Sequence, residues 1–515
     1  MFDSHRQVPR FLLASAMLFT ICLLVSCGHY KPSNMLVVII ESSPSNLDPR
    51  IGTDAQSERI SNLIFDSLVR RDEHFELQPG LAEKWENPDP LTWVFHIRHG
   101  VRFHDGRSLN ARDVKFTFDS LMNGTIISAR ASTYQFVQSI EAPDDYTVIF
   151  HMKEPFATLL WNVSNGAMGI VPYGSGKEFA QHPIGSGPFK FVSASSDEEV
   201  VIARNGDYWD VKPKVEHIRF AVILDPTTRA LELRKGSADI ASNTMSADMV
   251  EALRQEPTLE VQTSPGTIFS YIALNVQDPT LKDKRVRQAL AYATDRTELI
   301  RYLWRGEARP AASILPTQHW AFSKDVQQYP YDPARAAKLL DAAGYLAKGP
   351  DGIRFHLSFK TSTEETARLQ AVVFQQQWRK VGIAVDIHTY EFATFYSDVV
   401  KGLFQAYSLR WIGGNEDPDI FEHCFHSASF PPKRANRSRY ANPKMDELID
   451  RGRRTLNEKD RKPIYAEIQK ILAEDQPYIN LWYLENVIVH SHRVKNIHSM
   501  PSGNFDFLRD VELAP

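Results

Sequence analysis

FDSLVRRDEHFELQPGLAEKWENPDPLTWVFHIRHGVRFHDGRSLNARDVKFTFDSLM, residues 65–122, is the stretch on which the fold turns. Its middle alternates. Trp93, Phe95 and Ile97 share one face and Thr92, His96 and Arg98 the other, the period of a half-buried strand. Val101 and Phe103 carry the apolar face past the break at His99-Gly100, and Asp105-Gly106 turns the chain. Asn110 stands where a helix N-cap belongs, with Asp113 three residues on, and Val114, Phe118 and Leu121 follow at helical spacing. The stretch carries no nucleophile elbow, phosphate loop or metal cage, and His96, His99 and His104 read as strand and turn residues. It builds a scaffold, which points to a binding protein rather than an enzyme.

Outward from that stretch, the 515 residues are enough for more than one domain and a large core. The charge is nearly balanced, 59 basic against 63 acidic residues, so the electrostatic footprint of a nucleic-acid binder is missing. At the N-terminus, Arg6 and Arg10 precede an apolar run over 11–25, shorter than the roughly 20 residues that span a bilayer. Leu24-Val25-Ser26-Cys27 closes it. Residues 1–26 therefore read as a signal peptide. Of the three cysteines, Cys22 leaves with the signal and Cys424 has no partner, so the mature chain holds no internal disulfide.

Met35–Ile40 is a continuous apolar run, as a buried strand is. Tyr146, Val148, Phe150 and Met152 alternate, Ile184-Gly185-Ser186-Gly187-Pro188-Phe189 is a tight turn into a strand, and 218–224 is again extended. Near residue 275 the texture turns helical. Asp283 caps one helix, Asp295 and Glu298 form a capping box for the next, which Gly306 ends, and Asp332-Pro333 opens a third. Thr361 with Glu364 begins a fourth, closed near Gly382. Asn442-Pro443 starts another, and Ile464, Tyr465, Ile468, Ile471 and Leu472 form the apolar face of a last one. Residues 479–489 then return to an extended apolar run. The helix-rich part thus reads as an insertion into the first, with crossings near 271–276 and 481–488 serving as a hinge.

Three patterns suggest chemistry and fall short of it. Glu422, His423, Cys424 and His426 are metal-ligand types, but no second cluster helps them converge on one ion, so no metal is assigned. Gly174-Ser175-Gly176-Lys177 has Val171 where a phosphate loop needs its first glycine, and Ile184 stands where a nucleophile elbow at Ser186 needs one. More informative is Tyr407 through Asp419. A strand ends in Gly413-Gly414, which lets a ligand approach the backbone; Trp411 offers a flat wall and Arg410 a fork for carboxylate. Arg410, Trp411, Gly413 and Gly414 are the candidate ligand-binding residues, with Tyr271 and Asn275 beside the hinge. No catalytic residue and no cofactor is assigned.

Together these motifs resemble the extracellular solute-binding proteins of family 5, which serve ABC importers and include dipeptide- and oligopeptide-binding proteins. The likeness rests on Leu47-Asp48-Pro49, GVRFHDGRSLNARDVKFTFDSL, PIGSGPF at 183–189 and NGDYW at 205–209. It continues through DKRVRQALAYATDR at 283–296, YDPARAAKLLDAAGY at 331–345 and WIGGNEDPD at 411–419. It implies a two-lobed α/β periplasmic-binding-protein fold (type II, cluster C). Lobe I would hold residues 35–274 with an extra subdomain at about 50–182, lobe II 275–482, and the lobe I return 483–515. Leu24-Val25-Ser26-Cys27 is similar to the lipobox of bacterial lipoproteins. That implies lipidation of Cys27, a 27–34 linker, and a periplasmic or cell-envelope monomer anchored by its lipid. The implied partners are a peptide or small-molecule ligand and an ABC permease in the inner membrane. Where the family's peptide binders have an aspartate for the peptide's amino group, this chain has Gly414. Other members take oligosaccharides, nickel chelates or haem, so the fold leaves the ligand open. A hydrolase using the cleft and a periplasmic chaperone are the alternatives from other classes.

Overall fold

The computed structural model describes residues 34–164, 168–195, 197–413 and 416–514; the signal segment, Cys27 and Gly414 lie outside them. The described residues form a seven-stranded, a six-stranded and a four-stranded sheet, with two small ribbons. Met35–Ile40 sits inside the seven-stranded sheet, parallel to His217–Val222 on one side and Ile240–Ser242 on the other. Leu36, Val38 and Ile40 enter one apolar cluster and Val37 and Ile39 another, on the opposite face. Cover on both faces is why this strand is apolar without alternating.

The stretch that opened the sequence builds the four-stranded sheet, ordered Ala82–Asp89, Thr92–Ile97, Thr147–Met152, Val137–Asp144. Trp93, Phe95 and Ile97 are buried and their neighbours half-exposed, because only one face is covered. The cover is the helix Ala111–Met122, whose Phe118 ring meets Phe150 edge-on at 5.2 Å. Its start is a reciprocal cap: Asn110 Oδ1 accepts from Arg112 N–H at 3.0 Å, and Asp113 Oδ2 from Asn110 N–H at 2.9 Å. Gly185 and Gly187 press against the end of the helix Ala55–Ile64; a Cβ on Gly185 would lie 1.9 Å from the Ile64 carbonyl oxygen. Ser186 in the same turn donates to buried Asp66 at 3.1 Å. Its hydroxyl is a structural tie.

The six-stranded sheet runs Ala308–Pro310, Tyr478–Leu484, Phe269–Leu274, Ala406–Trp411, Phe355–Ser362, Ile383–Tyr390. Asp283, Asp332 and Asn442 each accept from a first-turn N–H, so these helices begin where the sequence places them. Two starts differ. Thr361 belongs to a strand, and the helix Glu365–Arg379 is capped by Glu364 alone, which accepts from Thr366 and Ala367 N–H. Asp295 caps its helix, but Glu298 does not reach back to it. Buried Gln377 stands between them, its Oε1 accepting from Asp295 N–H at 2.9 Å while its Nε2 donates to Glu298 at 2.9 Å. A tertiary side chain replaces half of the local box.

The expected single extended run at 479–489 is two strands in two sheets. Tyr478–Leu484 joins the six-stranded sheet and Asn486–Ser491 the seven-stranded one, so the chain changes sheet at Glu485. The other change falls at 265–268, upstream of the expected 271–276, because Phe269–Leu274 already pairs on both sides in the six-stranded sheet. No helix of the described residues is long and apolar enough to cross a membrane.

Candidate functional site

The two halves close on each other around a cavity of about 600 Å³. One wall comes from the first half: Arg71 at the end of Val69–Arg71, Arg130 and Tyr134 on the turn Ala129–Tyr134, then Phe136, Phe156 and Trp161. The facing wall starts at Trp411, the last residue of Ala406–Trp411. That strand runs parallel to Phe355–Ser362, itself parallel to Ile383–Tyr390, so the cavity lies beyond the carboxyl end of the sheet. Ligands of open α/β sheets sit there. Gly413, at φ +70° with open space around it, turns the chain toward Glu416, Asp417 and Asp419 and the helix Ile420–Phe425, which presents His423.

Closure is built from contacts between the halves. Arg71 Nη1 pairs with Glu416 at 2.6 Å, both side chains largely buried. His319 Nε2 donates to the Glu416 carbonyl at 2.9 Å, and its Nδ1 accepts from Ala321 N–H at 3.0 Å. Its ring stacks on Phe75 and lies near-parallel to Trp161 at 6.2 Å, both from the first half. Phe75 holds φ +62°, a conformation costing a bulky residue roughly 1–3 kcal/mol. Burying the ring in the second half's core returns about 1.5–3 kcal/mol, and a local turn holds the conformation, with Phe75 N–H donating to the Asp72 carbonyl at 3.1 Å. Arg453 adds a further link: it pairs with Asp419 at 2.6 Å and lies 5.4 Å over both Phe136 and Phe156.

Burial shapes the protonation of the wall. It pushes His423 down to about 4, helped by Arg434 and Arg437, so the imidazole is neutral at physiological pH. His319 is pushed down to about 3 by burial. Asp417 is pushed up to about 6 by burial, against Arg461 and with Asp419. Asp417 Oδ1 accepts from Asp419 N–H at 2.7 Å, while Oδ2 is buried without a hydrogen bond.

Of the residues singled out in the sequence, Trp411 lines the cavity. Its face carries the Arg437 guanidinium at 5.5 Å and its ring meets His423 edge-on at 5.6 Å. Tyr271 is fully buried behind that arrangement, its hydroxyl accepting from Arg437 at 3.3 Å. Asn275 ties a loop, donating to the Phe404 carbonyl at 3.0 Å, and Arg410 is exposed and not among the residues that line the cavity. Gly414 lies outside the described residues. Glu422 is engaged by Ser429 and Arg434, His426 accepts from Ala428 N–H, and Cys424 is buried with its thiol pushed up to about 12. Arg71, Arg130, Phe156, Trp161 and Arg453 escaped the sequence reading, since no local pattern marks residues that meet across hundreds of positions. The one trace is that Arg71 and Phe75 belong to the stretch that opened the analysis.

Residues 76–430 match the family described as bacterial extracellular solute-binding proteins, family 5. The dipeptide-binding protein of Escherichia coli (strain K12) is 29% identical over 488 residues, 88% of this chain and 89% of that protein. The structure of HbpA2 from Haemophilus parasuis is similar with a TM-score of 0.83 at 27% identity, covering 93% of this chain and all of that one. NikZ from Campylobacter jejuni in complex with Ni(L-His) is similar with a TM-score of 0.77 at 26% identity, covering 93% of this chain and 98% of that one. The fold is that of two-lobed α/β periplasmic binding proteins.

Proposed function

Because the chain belongs to the bacterial extracellular solute-binding proteins of family 5, we propose that it is the capture subunit of an ABC importer, taking peptides or peptide-like solutes into the interlobe cavity and handing them to a membrane permease. The observation that carries this reading is the cavity of about 600 Å³, walled by aromatics of both halves. That is the size of a small-molecule pocket, ~300–1,000 Å³. The relative named for dipeptides supports peptides as the class. We take the lobes to follow the sheets, with crossings at 265–268 and at Glu485. Trp411 forms the aromatic platform, and Tyr271 acts through Arg437. The chain works as a monomer held to the cell envelope by a lipid on Cys27, and it carries out no catalysis. Native mass spectrometry of protein purified from its producing cell, followed by titration with tripeptide libraries, tests the reading. Co-purified peptides and saturable binding are expected; neither appearing overturns it.

A second reading has one observation behind it. His423 puts a neutral imidazole, a competent metal ligand, into the cavity, and the similar NikZ holds Ni(L-His). Saturable binding of nickel–histidine that is lost in His423→Ala would favour it over peptides.

A further inference from the structure

We propose that the solute taken by this cavity carries a carboxylate and no free ammonium, and that the carboxylate seats on Lys433 and Arg434; the inference rests on the peptide-like reading above. It comes from pairing every charge in the wall. Of the acids lining the cavity, Glu416 is held by Arg71 and Asp419 by Arg453, each at 2.6 Å. Asp417 has one oxygen on the Asp419 N–H and the other sealed from solvent. The buried Arg461 guanidinium, which favours its ionised form, already offsets its charge. A ligand ammonium would have to break one of these pairs and strand its partner.

The cations tell the opposite story. Arg130 is matched by Glu58 at 2.6 Å, and Arg71 and Arg453 by the acids above. Arg434 gives Nη1 to Glu422 at 3.1 Å, leaving the rest of its fork uncommitted. Lys433 has no carboxylate within ion-pair distance among the described residues. Residues 414 and 415, a glycine and an asparagine, add no charge. Behind Trp411, Arg437 has only tyrosine hydroxyls as side-chain hydrogen-bond partners, so its positive charge is also undiluted by a carboxylate. The fields of Arg434 and Arg437 reach the cavity, since both help keep His423 neutral. The closed site therefore has room for one more negative charge and none for a positive one.

The experiment uses the full chain and three tripeptide libraries randomised at every position: free at both ends, N-acetylated, and N-acetylated with a C-terminal amide. Bound fractions are read by native mass spectrometry. The acetylated acids should bind at least as well as the free peptides. The amides should bind about tenfold to a hundredfold more weakly, the loss of a hydrogen-bonded charge. Lys433→Met, at an exposed position, should bring the acids toward the affinity of the amides. Tighter binding of the free peptides, or equal binding of acids and amides, overturns this assignment and leaves the peptide reading standing. Binding of none of the three overturns the peptide reading and this assignment with it.

Discussion

The imidazole of His319 lies face to face with the ring of Phe75, centroids 5.8 Å apart and planes 24° apart, although one belongs to each half of the molecule. The contact makes closure sensitive to acid. In the closed form burial holds His319 down at about 3, against an ordinary value of 6.5, so the closed form takes up its proton later than an opened one. Its contribution to closure is complete above about pH 6.5 and is lost as pH falls toward about 3, by ~1.4 kcal/mol per unit. His423, held down to about 4 in the cavity wall, acts in the same direction. Small-angle scattering should show a larger radius of gyration at pH 5 than at pH 7.5. The difference should shrink in His319→Gln and shrink further or reverse when His423→Gln is added, because Asp417, pushed up to about 6 by burial, favours the closed form as pH falls; an unchanged slope in the double variant refutes the link.

Gln377→Ala should destabilise the second half without touching the cavity. It removes the acceptor of the Asp295 N–H and the donor to Glu298. Leaving such groups unpaired costs about 1–3 kcal/mol. Urea denaturation should register that loss, with ligand affinity unchanged.

Gly185→Ala should be far more damaging than its size suggests, since the new methyl would lie 1.9 Å from the Ile64 carbonyl oxygen, a backbone atom. A loss of roughly 3 kcal/mol or more is expected from forcing that turn off its helix. Gly176→Ala, where no atom lies within 4 Å, is the control and should melt like the parent protein.

Trp411→Ala should weaken ligand binding by tenfold or more while shifting the melting temperature little, because the ring is only partly buried and its loss removes the aromatic platform. Calorimetric titration with the best-binding tripeptide checks it. Equal affinity would mean the ligand sits elsewhere in the cavity.

Cys27→Ser should move the protein from the membrane fraction to the soluble envelope fraction or stall its processing. An unchanged membrane fraction rules out the lipid anchor.

What the sequence made legible was whatever short-range physics writes into it. The alternation of Trp93, Phe95 and Ile97 and the reciprocal cap of Asn110 and Asp113 are decided within a few residues, and both were readable. Glu485 was not. The strands on either side of it are equally apolar, and hydrophobicity records that a strand is buried, not which sheet buries it. Thr361 was misplaced because a hydroxyl before an acidic residue looks like a cap, while pairing with Thr389 in the neighbouring strand decides otherwise. At the site, Trp411 was marked by the glycines after it. Arg71, 345 positions before Glu416, carried no such local mark.

Gly266 lets the two crossings touch. A Cβ there would lie 2.3 Å from the Leu484 carbonyl oxygen, and Leu484 N–H donates to the Ile268 carbonyl at 2.9 Å. The 216 residues between them, 269–484, thus leave the parent body and rejoin it at a single seam, the arrangement that tolerates insertion and exchange. Recombination at two neighbouring points could replace the outer jaw of the trap while the inner jaw stayed as it was. A lineage built this way can acquire new cargo by swapping one module rather than by remaking the whole receptor.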